Sequence, residues 1–121
     1  MIKDYAQQQP IPTTWRQAFR DVVSAFIEGD YRLDRGVLGV ESVAPEAANQ
    51  ISEYLLDYGA TLTALPDDTW ESSVCMWMGG HWETLVDLWT KEEGRSDLVL
   101  HARVFDESPG FLVKIHLVYV P

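Results

Sequence analysis

The hydrophobic pattern of the chain changes period once, near Trp70, and this change constrains the fold more than any other feature. Before it, apolar residues recur every three to four positions in two stretches, the spacing of helices that bury one face. After it, apolar and polar residues alternate, as in strands of a sheet with one buried face. Four strands are predicted, at roughly residues 70 to 78, 81 to 90, 97 to 106 and 111 to 120. The chain is therefore expected to place helices first and an antiparallel sheet after them.

Both helices carry recognisable start and stop signals. Thr14 can cap the first helix, Gln17 can complete a capping box, and Gly29 offers the left-handed residue that ends a helix. The second helix is predicted from Pro45 to Gly59, because proline suits a first turn and glycine a C-terminal stop. The apolar stripe of the first helix consists of Trp15, Phe19, Val22, Val23 and Phe26.

The fold class that follows is α+β, with two N-terminal helices packed on one face of a four- or five-stranded antiparallel meander sheet. The turns of the meander are expected at Gly79-Gly80, in the polar loop 91 to 96, and at residues 107 to 110. Each apolar face then has a cover, as a stable domain requires.

The remaining segments are short. Residues 1 to 12, rich in glutamine and proline, are expected to form a frayed lead-in to one domain, 1 to 121. Residues 31 to 43 and 60 to 65 each have the composition of a brief strand.

Composition excludes several classes of function. The chain has 121 residues with 19 acids and 9 bases, and its net charge of −10 repels the phosphate backbone of nucleic acids. The single cysteine, Cys75, excludes an intramolecular disulfide and a cysteine-rich metal site. Since the sequence has no signal-peptide or membrane-span stretch, we expect a cytoplasmic protein with no membrane or nucleic-acid partner. Phosphate-loop, dinucleotide, zinc-protease and serine-hydrolase motifs are missing from the sequence, so no cofactor and no catalytic residue is predicted.

The net charge is concentrated in the middle of the chain. Residues 41 to 90 hold nine acids and no lysine or arginine, whereas the acids and bases of residues 1 to 40 cancel. Two interpretations stay open: a solvated face that keeps the chain soluble, or a docking surface for a basic protein. Asp67 and Asp68 are assigned to electrostatic steering. The predicted partner-binding residues are Asp67, Asp68, Glu71, Glu83, Asp87, Trp89, Glu92 and Glu93.

Four of the five tryptophans fall between residues 70 and 89. Trp77 and Trp82 flank the first predicted turn of the sheet symmetrically, so their rings are expected to stack across the hairpin. Packing in the core is the ordinary use of such rings. Alternation must still leave at least one indole on the face that the helices do not cover. Trp89, in phase with Glu83, is the indole predicted there as an interface anchor.

The last predicted hairpin brings two histidines together. If residues 107 to 110 form its loop, His101 faces His116 and Arg103 faces Lys114 on the polar side of the sheet. The apolar side of the same two strands carries Leu98, Leu100, Ala102, Val104, Phe111, Val113, Ile115 and Leu117.

Two uses of this histidine pair stay open. With Glu83 or Asp87 as a third group, two imidazoles can bind zinc or copper, or serve acid–base chemistry on a small ligand. Without a third sequence-local ligand, solvent-facing side chains in a weak charge network are the ordinary interpretation, and no metal is predicted. Cys75 lies in an apolar alternating stretch and is expected to be a small buried hydrophobe, although His81 is near enough in sequence to be considered as its base.

The run from Asp57 to Pro121 resembles a family of small uncharacterised bacterial proteins. The Glu-Glu-Gly-Arg-Ser-Asp-Leu run is its most specific piece, and the N-terminal helix fits the same pattern more loosely. The family has no assigned activity, so the resemblance implies no catalytic residue. In size and charge alone, the chain is also similar to the immunity proteins that neutralise bacterial toxins. The family resemblance is carried by Asp57-Tyr58-Gly59, Thr69-Trp70, Leu85-Val86-Asp87-Leu88-Trp89-Thr90, Glu92-Glu93-Gly94-Arg95-Ser96-Asp97-Leu98 and Val118-Tyr119-Val120-Pro121.

The expected function is a non-enzymatic acidic binding protein of the bacterial cytoplasm. Its leading form is an immunity protein that neutralises a basic toxin domain such as a nuclease. Two alternatives are kept. One is a small-ligand-binding or enzymatic domain that uses the open sheet face around His101 and His116, and the other is a house-keeping interaction module whose charge maintains solubility.

Overall fold

The computed structural model describes residues 3–5, 7–107 and 109–121. Positions 1, 2 and 6 of the predicted lead-in and position 108 of the last predicted turn lie outside the described residues. The predicted α+β class is confirmed, since two helices precede most of a five-stranded antiparallel sheet whose strands lie side by side in chain order. The elements are β1 (Gln9–Pro10), α1 (Thr13–Ile27), α2 (Pro45–Tyr58), a 3₁₀ helix (Asp67–Glu71), β2 (Val74–Trp77), β3 (Trp82–Thr90), β4 (Gly94–Asp106) and β5 (Phe111–Tyr119).

Regular structure begins at Gln9, within the N-terminal segment that the composition predicts to be frayed. Gln9 pairs with Cys75 and Pro10 with Val74, so β1 forms one edge of the sheet. Ile11 is fully buried in the core. Proline is tolerated in an edge strand because no neighbour needs its missing N–H. The expectation of a frayed segment is therefore wrong from Gln9 onward, because one buried isoleucine fixes the chain beside it.

The start of α1 differs from the predicted capping box. The residue that precedes the helix is Pro12, with φ −56° and ψ 142°, and no side chain caps the helix N-terminus. Thr14 lies inside the first turn, and the Gln17 amide donates to Asp21 Oδ1 at 2.8 Å, one turn further along. Pro12 fixes the extended backbone before the helix, so the turn begins at once and leaves Thr14 no capping position.

The bounds of α2 agree with its sequence signals. Pro45 occupies the first turn, and Gly59 closes the helix in the left-handed conformation at φ 81°. The helix lies along β5, where the Gln50 side chain donates to the Val118 carbonyl at 2.8 Å and accepts from the Val118 N–H at 3.3 Å. A side chain thus replaces the neighbour that an edge strand lacks. Across the described part of the chain, no helix has the length and apolarity needed to cross a membrane.

The strand predicted at 70 to 78 is wrong in its first half. A 3₁₀ helix occupies Asp67–Glu71, and β2 covers only Val74–Trp77. Thr69 is buried and its hydroxyl donates to the Asp87 carbonyl at 2.7 Å, while Trp70 is buried beneath the Arg20 guanidinium, 5.4 Å from the ring. These contacts with β3 and α1 fix a turn where alternation alone predicts a strand.

The two faces of the sheet differ in what covers them. In β3, even-numbered residues are buried in the core with both helices, and Trp82 packs edge-on against Trp15 of α1 at 6.0 Å between ring centroids. Trp77 contacts Trp82 at 5.2 Å, which confirms the predicted pair. The opposite side, called the open face below, carries the odd-numbered residues of β3 and the residues paired with them. In β3 these are Glu83, Leu85, Asp87 and Trp89.

The predicted pairing of His101 with His116 is wrong. The register of the last hairpin holds as far as Ala102 opposite Ile115, and His101 then pairs with Leu117. His116 is the extra residue of a β-bulge, which leaves one strand a residue longer than its partner.

The bulge also changes which residue of β5 enters the core. Arg103 pairs with Lys114 as predicted, because this pair precedes the bulge. Beyond it, Leu100 pairs with Val118, and Val118 is buried, whereas Leu117 lies half-buried opposite His101. The prediction that placed Leu117 on the apolar side is therefore wrong by one residue, because a strict period of two cannot represent an inserted residue.

The brief strands expected at 31 to 43 and 60 to 65 are reduced to isolated bridges. Val40 bridges Val37 and Val113, and Leu62 bridges Thr90. The segment at Val40 lies against the free edge of β5, where it adds hydrogen bonds to Val113. The bridges to Val113 and Thr90 therefore extend the sheet locally without forming a new strand, and the bridge from Val37 to Val40 closes a turn within its own segment.

Candidate functional site

The eight predicted partner-binding residues do not form one surface. Four of them are grouped near the end of β3 and are called the Trp89 patch: Asp68, Glu71 and Trp89 line one pocket, and Asp87 accepts a hydrogen bond from Ser72, which also lines it. Asp67 lies beside it, in an ion pair with Arg20. Glu83 lies further along β3, four residues from Asp87, and Glu92 and Glu93 lie in the β3–β4 turn.

Trp89 is half-buried on the open face, as the alternation of β3 predicts. It is paired across the sheet with the exposed Arg95. The turn at Gly94, with φ 73°, brings the backbone against the indole, so that a Cβ at this position would lie 3.8 Å from Trp89 Cζ3. A tight glycine turn and the strand therefore hold the ring in one place.

Trp89 forms one wall of an open pocket of about 420 Å³. Asp68 and Glu71, both from the 3₁₀ helix, line its acidic side, and Arg95 lines the other. Asp68 and Glu71 are exposed, and neither has an ion-pair partner among the residues that the structure describes. The patch thus combines two available carboxylates with a fixed aromatic wall.

Asp87 has a structural role that the sequence did not indicate. Its carboxylate accepts a short hydrogen bond from the Ser72 hydroxyl, and its backbone N–H donates to Ser73 Oγ at 2.9 Å. These bonds fasten the end of the 3₁₀ helix to β3. Asp87 therefore positions Asp68 and Glu71 beside Trp89, and its own charge is partly committed.

A second cluster surrounds Glu83 on the open face. Glu83 Oε1 accepts from His81 Nε2 at 3.1 Å and from Arg103 Nε at 3.0 Å, and its Oε2 accepts from His101 Nε2 at 2.5 Å. The His116 ring stands edge-on to His101, with centroids 5.0 Å apart. All three histidines of the chain thus lie in or beside this cluster. The sequence analysis did not place His81 beside Glu83, although residues two apart in a strand lie on the same face.

The pKa values in this cluster follow from burial and charge. Burial raises the pKa of Glu83, but the hydrogen bonds from His101 and His81 outweigh it and hold the pKa below its usual value. Burial and the nearby charges of Arg103 and His101 lower the pKa of His116. With both oxygens engaged and only 15% of its side chain exposed, Glu83 is a structural carboxylate, and it is withdrawn from the surface predicted to bind a partner.

The chemistry available to these side chains is limited. Among residues 3–5, 7–107 and 109–121, no group of three or more His, Cys, Asp or Glu side chains is arranged to hold a metal ion. Cys75 is buried, its thiol donates to the Pro10 carbonyl at 3.6 Å, and burial raises the pKa of the thiol to about 11. A thiol in this state is a poor nucleophile at neutral pH. Nothing in the described residues points to an enzymatic activity.

Glu92 and Glu93 hold the β3–β4 turn against the end of α2. Glu92 Oε1 accepts from the Thr61 N–H at 2.9 Å, and this backbone hydrogen bond lowers the pKa of Glu92. The Tyr58 hydroxyl donates to both oxygens of Glu93, at 2.9 and 2.8 Å, and this hydrogen bond raises the pKa of the tyrosine. Both carboxylates keep exposed surface, but they face α2 rather than the Trp89 patch.

Comparison with known proteins gives one match. The family model described as Domain of unknown function (DUF7668) matches residues 23–121. Searches of curated proteins and of solved structures found no match. The matched range contains the whole sheet except β1, together with α2, the Trp89 patch and the Glu83 cluster.

Proposed function

Because the chain belongs to the DUF7668 family, whose description assigns no activity, we propose its function from its surface: a non-enzymatic protein that binds a basic protein partner. The docking site is the Trp89 patch. The form of this function that we propose is immunity, in which the chain occludes a basic toxin domain such as a nuclease.

The observation that carries the proposal is the position of two unpaired carboxylates beside a fixed indole. Asp68 and Glu71 project from the 3₁₀ helix, and Trp89 forms the adjoining wall of the open pocket. Carboxylates that form no ion pair with a base of the described residues attract lysine and arginine side chains over several ångströms, although Arg95 in the same pocket weakens this attraction. An aromatic ring held in place offers contact area at a low entropic cost, and its face attracts the same cations.

The shape of the patch favours a protein over a small molecule. Its pocket is open, and exposed side chains from two elements border it rather than enclose it. Small-molecule sites usually bury most of their ligand's surface. A basic protein surface that covers the patch would exclude water from Asp68 and Glu71 and strengthen each charge pair.

Arg95 provides a test of the sign of the interaction. It lines the same pocket as Asp68 and Glu71 and is the base of that group, so it opposes a basic partner and favours an acidic one. If the proposal is right, Arg95→Glu speeds association with the partner, while Asp68→Lys combined with Glu71→Lys slows association by about tenfold or more at low salt.

The experiment begins with the protein encoded directly upstream of the gene, where a toxin is expected for an immunity protein. The C-terminal domain of that protein is purified, and its association rate with the wild-type chain is measured at low and physiological ionic strength. A matched control is the double variant Glu41→Lys and Glu107→Lys, which makes the same change in net charge on exposed residues near the β4–β5 hairpin, at the end of β4 away from Arg95 and the Trp89 patch.

Binding that weakens in the patch variant, persists in the control variant and declines with salt supports the proposal. Equal affinity in all variants would return the patch to the interpretation of a solvated face. If the chain binds the toxin domain but does not protect cells that express it, the proposed immunity role is rejected and the proposed binding role is retained.

A further inference from the structure

A groove lies where the end of α1 meets the second half of α2. Its volume is about 430 Å³. Its floor includes Leu55 and Leu62, which are buried, and the Phe26 ring, which contacts Tyr31 at 5.7 Å between centroids. The lining is thus mainly apolar and continuous with the core.

Two large apolar side chains on this groove are exposed. Ile27, the last residue of α1, is 45% exposed, and Leu56 of α2 is 79% exposed. A single exposed leucine is ordinary on a protein surface, but two such side chains on one groove with an apolar floor form a contiguous patch. Covering them would remove apolar surface from water at little structural cost.

The helix that forms one wall of the groove carries a stripe of acids. Glu46, Glu53 and Asp57 are separated by seven and four residues, so they share one side of α2, next to Leu56. All three are exposed, and none has an ion-pair partner among the described residues. The stripe extends about 17 Å, or three turns of helix.

One end of the groove carries charges of both signs, because Lys91 donates its backbone N–H to the carbonyl of Thr61 there and Glu92 follows it in the chain. Glu92 accepts its hydrogen bond from Thr61, which lines the groove. Arg35, four residues after the groove residue Tyr31, is engaged by Glu28 and Asp30. From residue 36 to residue 90 the chain has no lysine or arginine, so the α2 wall contains no base that could neutralise the stripe.

We propose that this groove binds a basic amphipathic helix of the partner protein. Apolar side chains of that helix enter the groove between Ile27 and Leu56, and its lysine or arginine side chains face the acids of α2. This is the usual way in which a helix occupies a groove, with an apolar face for affinity and charges for register. The inference rests on the proposed function in one respect, that the partner is basic, and it assigns a second contact region away from the Trp89 patch.

The test uses a synthetic helical peptide of about 14 residues, the length of α2, with leucines on one face and lysines on the other. A second peptide replaces the leucines with serine and keeps every lysine. Affinity of the full chain for each peptide is measured by fluorescence anisotropy. The variant Leu56→Ser removes one exposed groove side chain, and Leu38→Ser is its matched control, because Leu38 is 92% exposed on a loop outside the groove.

We expect the leucine peptide to bind wild type and the Leu38→Ser variant equally, and the Leu56→Ser variant about tenfold more weakly, the change expected for loss of one buried leucine contact. Equal binding of both peptides would mean that charge alone acts, and this would overturn the proposal. Equal affinity of the Leu56→Ser and Leu38→Ser variants, or no binding of the leucine peptide, would overturn it too.

The variant Asp68→Lys with Glu71→Lys separates this inference from the proposed function. It should leave peptide affinity nearly unchanged, since these residues do not line the groove. Loss of partner binding at the Trp89 patch together with intact peptide binding supports both regions. If the toxin domain binds the patch variant as tightly as wild type and the peptide still binds the groove, the Trp89 patch is rejected as a contact region and the groove is retained.

Discussion

At the scale of single residues, Cys75 illustrates how burial controls reactivity. The thiol is enclosed in the core and its pKa is about 11, so little thiolate exists at neutral pH. We predict that a thiol reagent modifies Cys75 only as fast as the protein unfolds. The rate is measured in buffer and in denaturant, with a short peptide of the same local sequence as the reference. A folded protein that reacts as fast as the peptide would contradict the assignment of Cys75 to the core.

The Glu83 cluster predicts how stability depends on pH. Both His116 and Glu83 have a folded pKa below the usual value, 6.5 and 4.5 respectively, so the unfolded state takes up each proton first. The stability that these two groups contribute is therefore complete above about pH 6.5, declines as His116 takes up its proton, and declines again below about pH 4.5 as Glu83 is protonated. The free energy of unfolding in urea is measured across this range.

The variant His116→Gln tests the assignment of the upper part of that profile. It should remove the loss of stability that begins below about pH 6.5 and leave the loss below about pH 4.5, because Glu83 is still present. A profile identical to that of wild type would show that His116 does not contribute.

At the scale of elements, the closure of the β5 edge depends on Gln50. Gln50→Ala would remove both hydrogen bonds to the backbone of Val118 and leave polar groups of a buried residue without partners. We predict a loss of about 1–3 kcal/mol in the free energy of unfolding. Asn49→Ala, a change at the exposed neighbouring position of α2, is the control and should have little effect. Equal effects of the two variants would mean that the hydrogen bonds from Gln50 to Val118 contribute nothing measurable to stability.

The elements also show what the sequence could predict and why it failed elsewhere. Start and stop signals at Pro45 and Gly59, and alternation in β3, are local, and these elements were predicted within a few residues. The 3₁₀ helix at Asp67–Glu71 depends on contacts of Thr69 and Trp70 with β3 and α1, which no window of sequence contains. Tertiary contacts override local pattern in such cases.

At the scale of the whole molecule, the acids that cluster in the middle of the sequence do not form one surface in the fold. Eight of its nine acids lie on α2, on the 3₁₀ helix and on β3, and Glu41 lies in the segment before α2. The sequence therefore predicted the residues of the Trp89 patch but also included Glu83, which is committed to His101, and two residues of the β3–β4 turn. The neighbours of each carboxylate, and hence its availability, require the fold.

The β-bulge at His116 also bears on how such a chain can change in length over generations. With His116 absent, Ile115 and Leu117 would follow each other along an unbroken ladder opposite Ala102 and His101, and Val118 would still point into the core. Loss of one codon at this position would thus shorten the hairpin, and the side chains on either side of it would keep their present alternation between the core and the open face. Insertion or deletion of one residue elsewhere in β5 would move the following core side chains to the open face. In alignments of related chains, a single-residue gap in this hairpin would belong at His116.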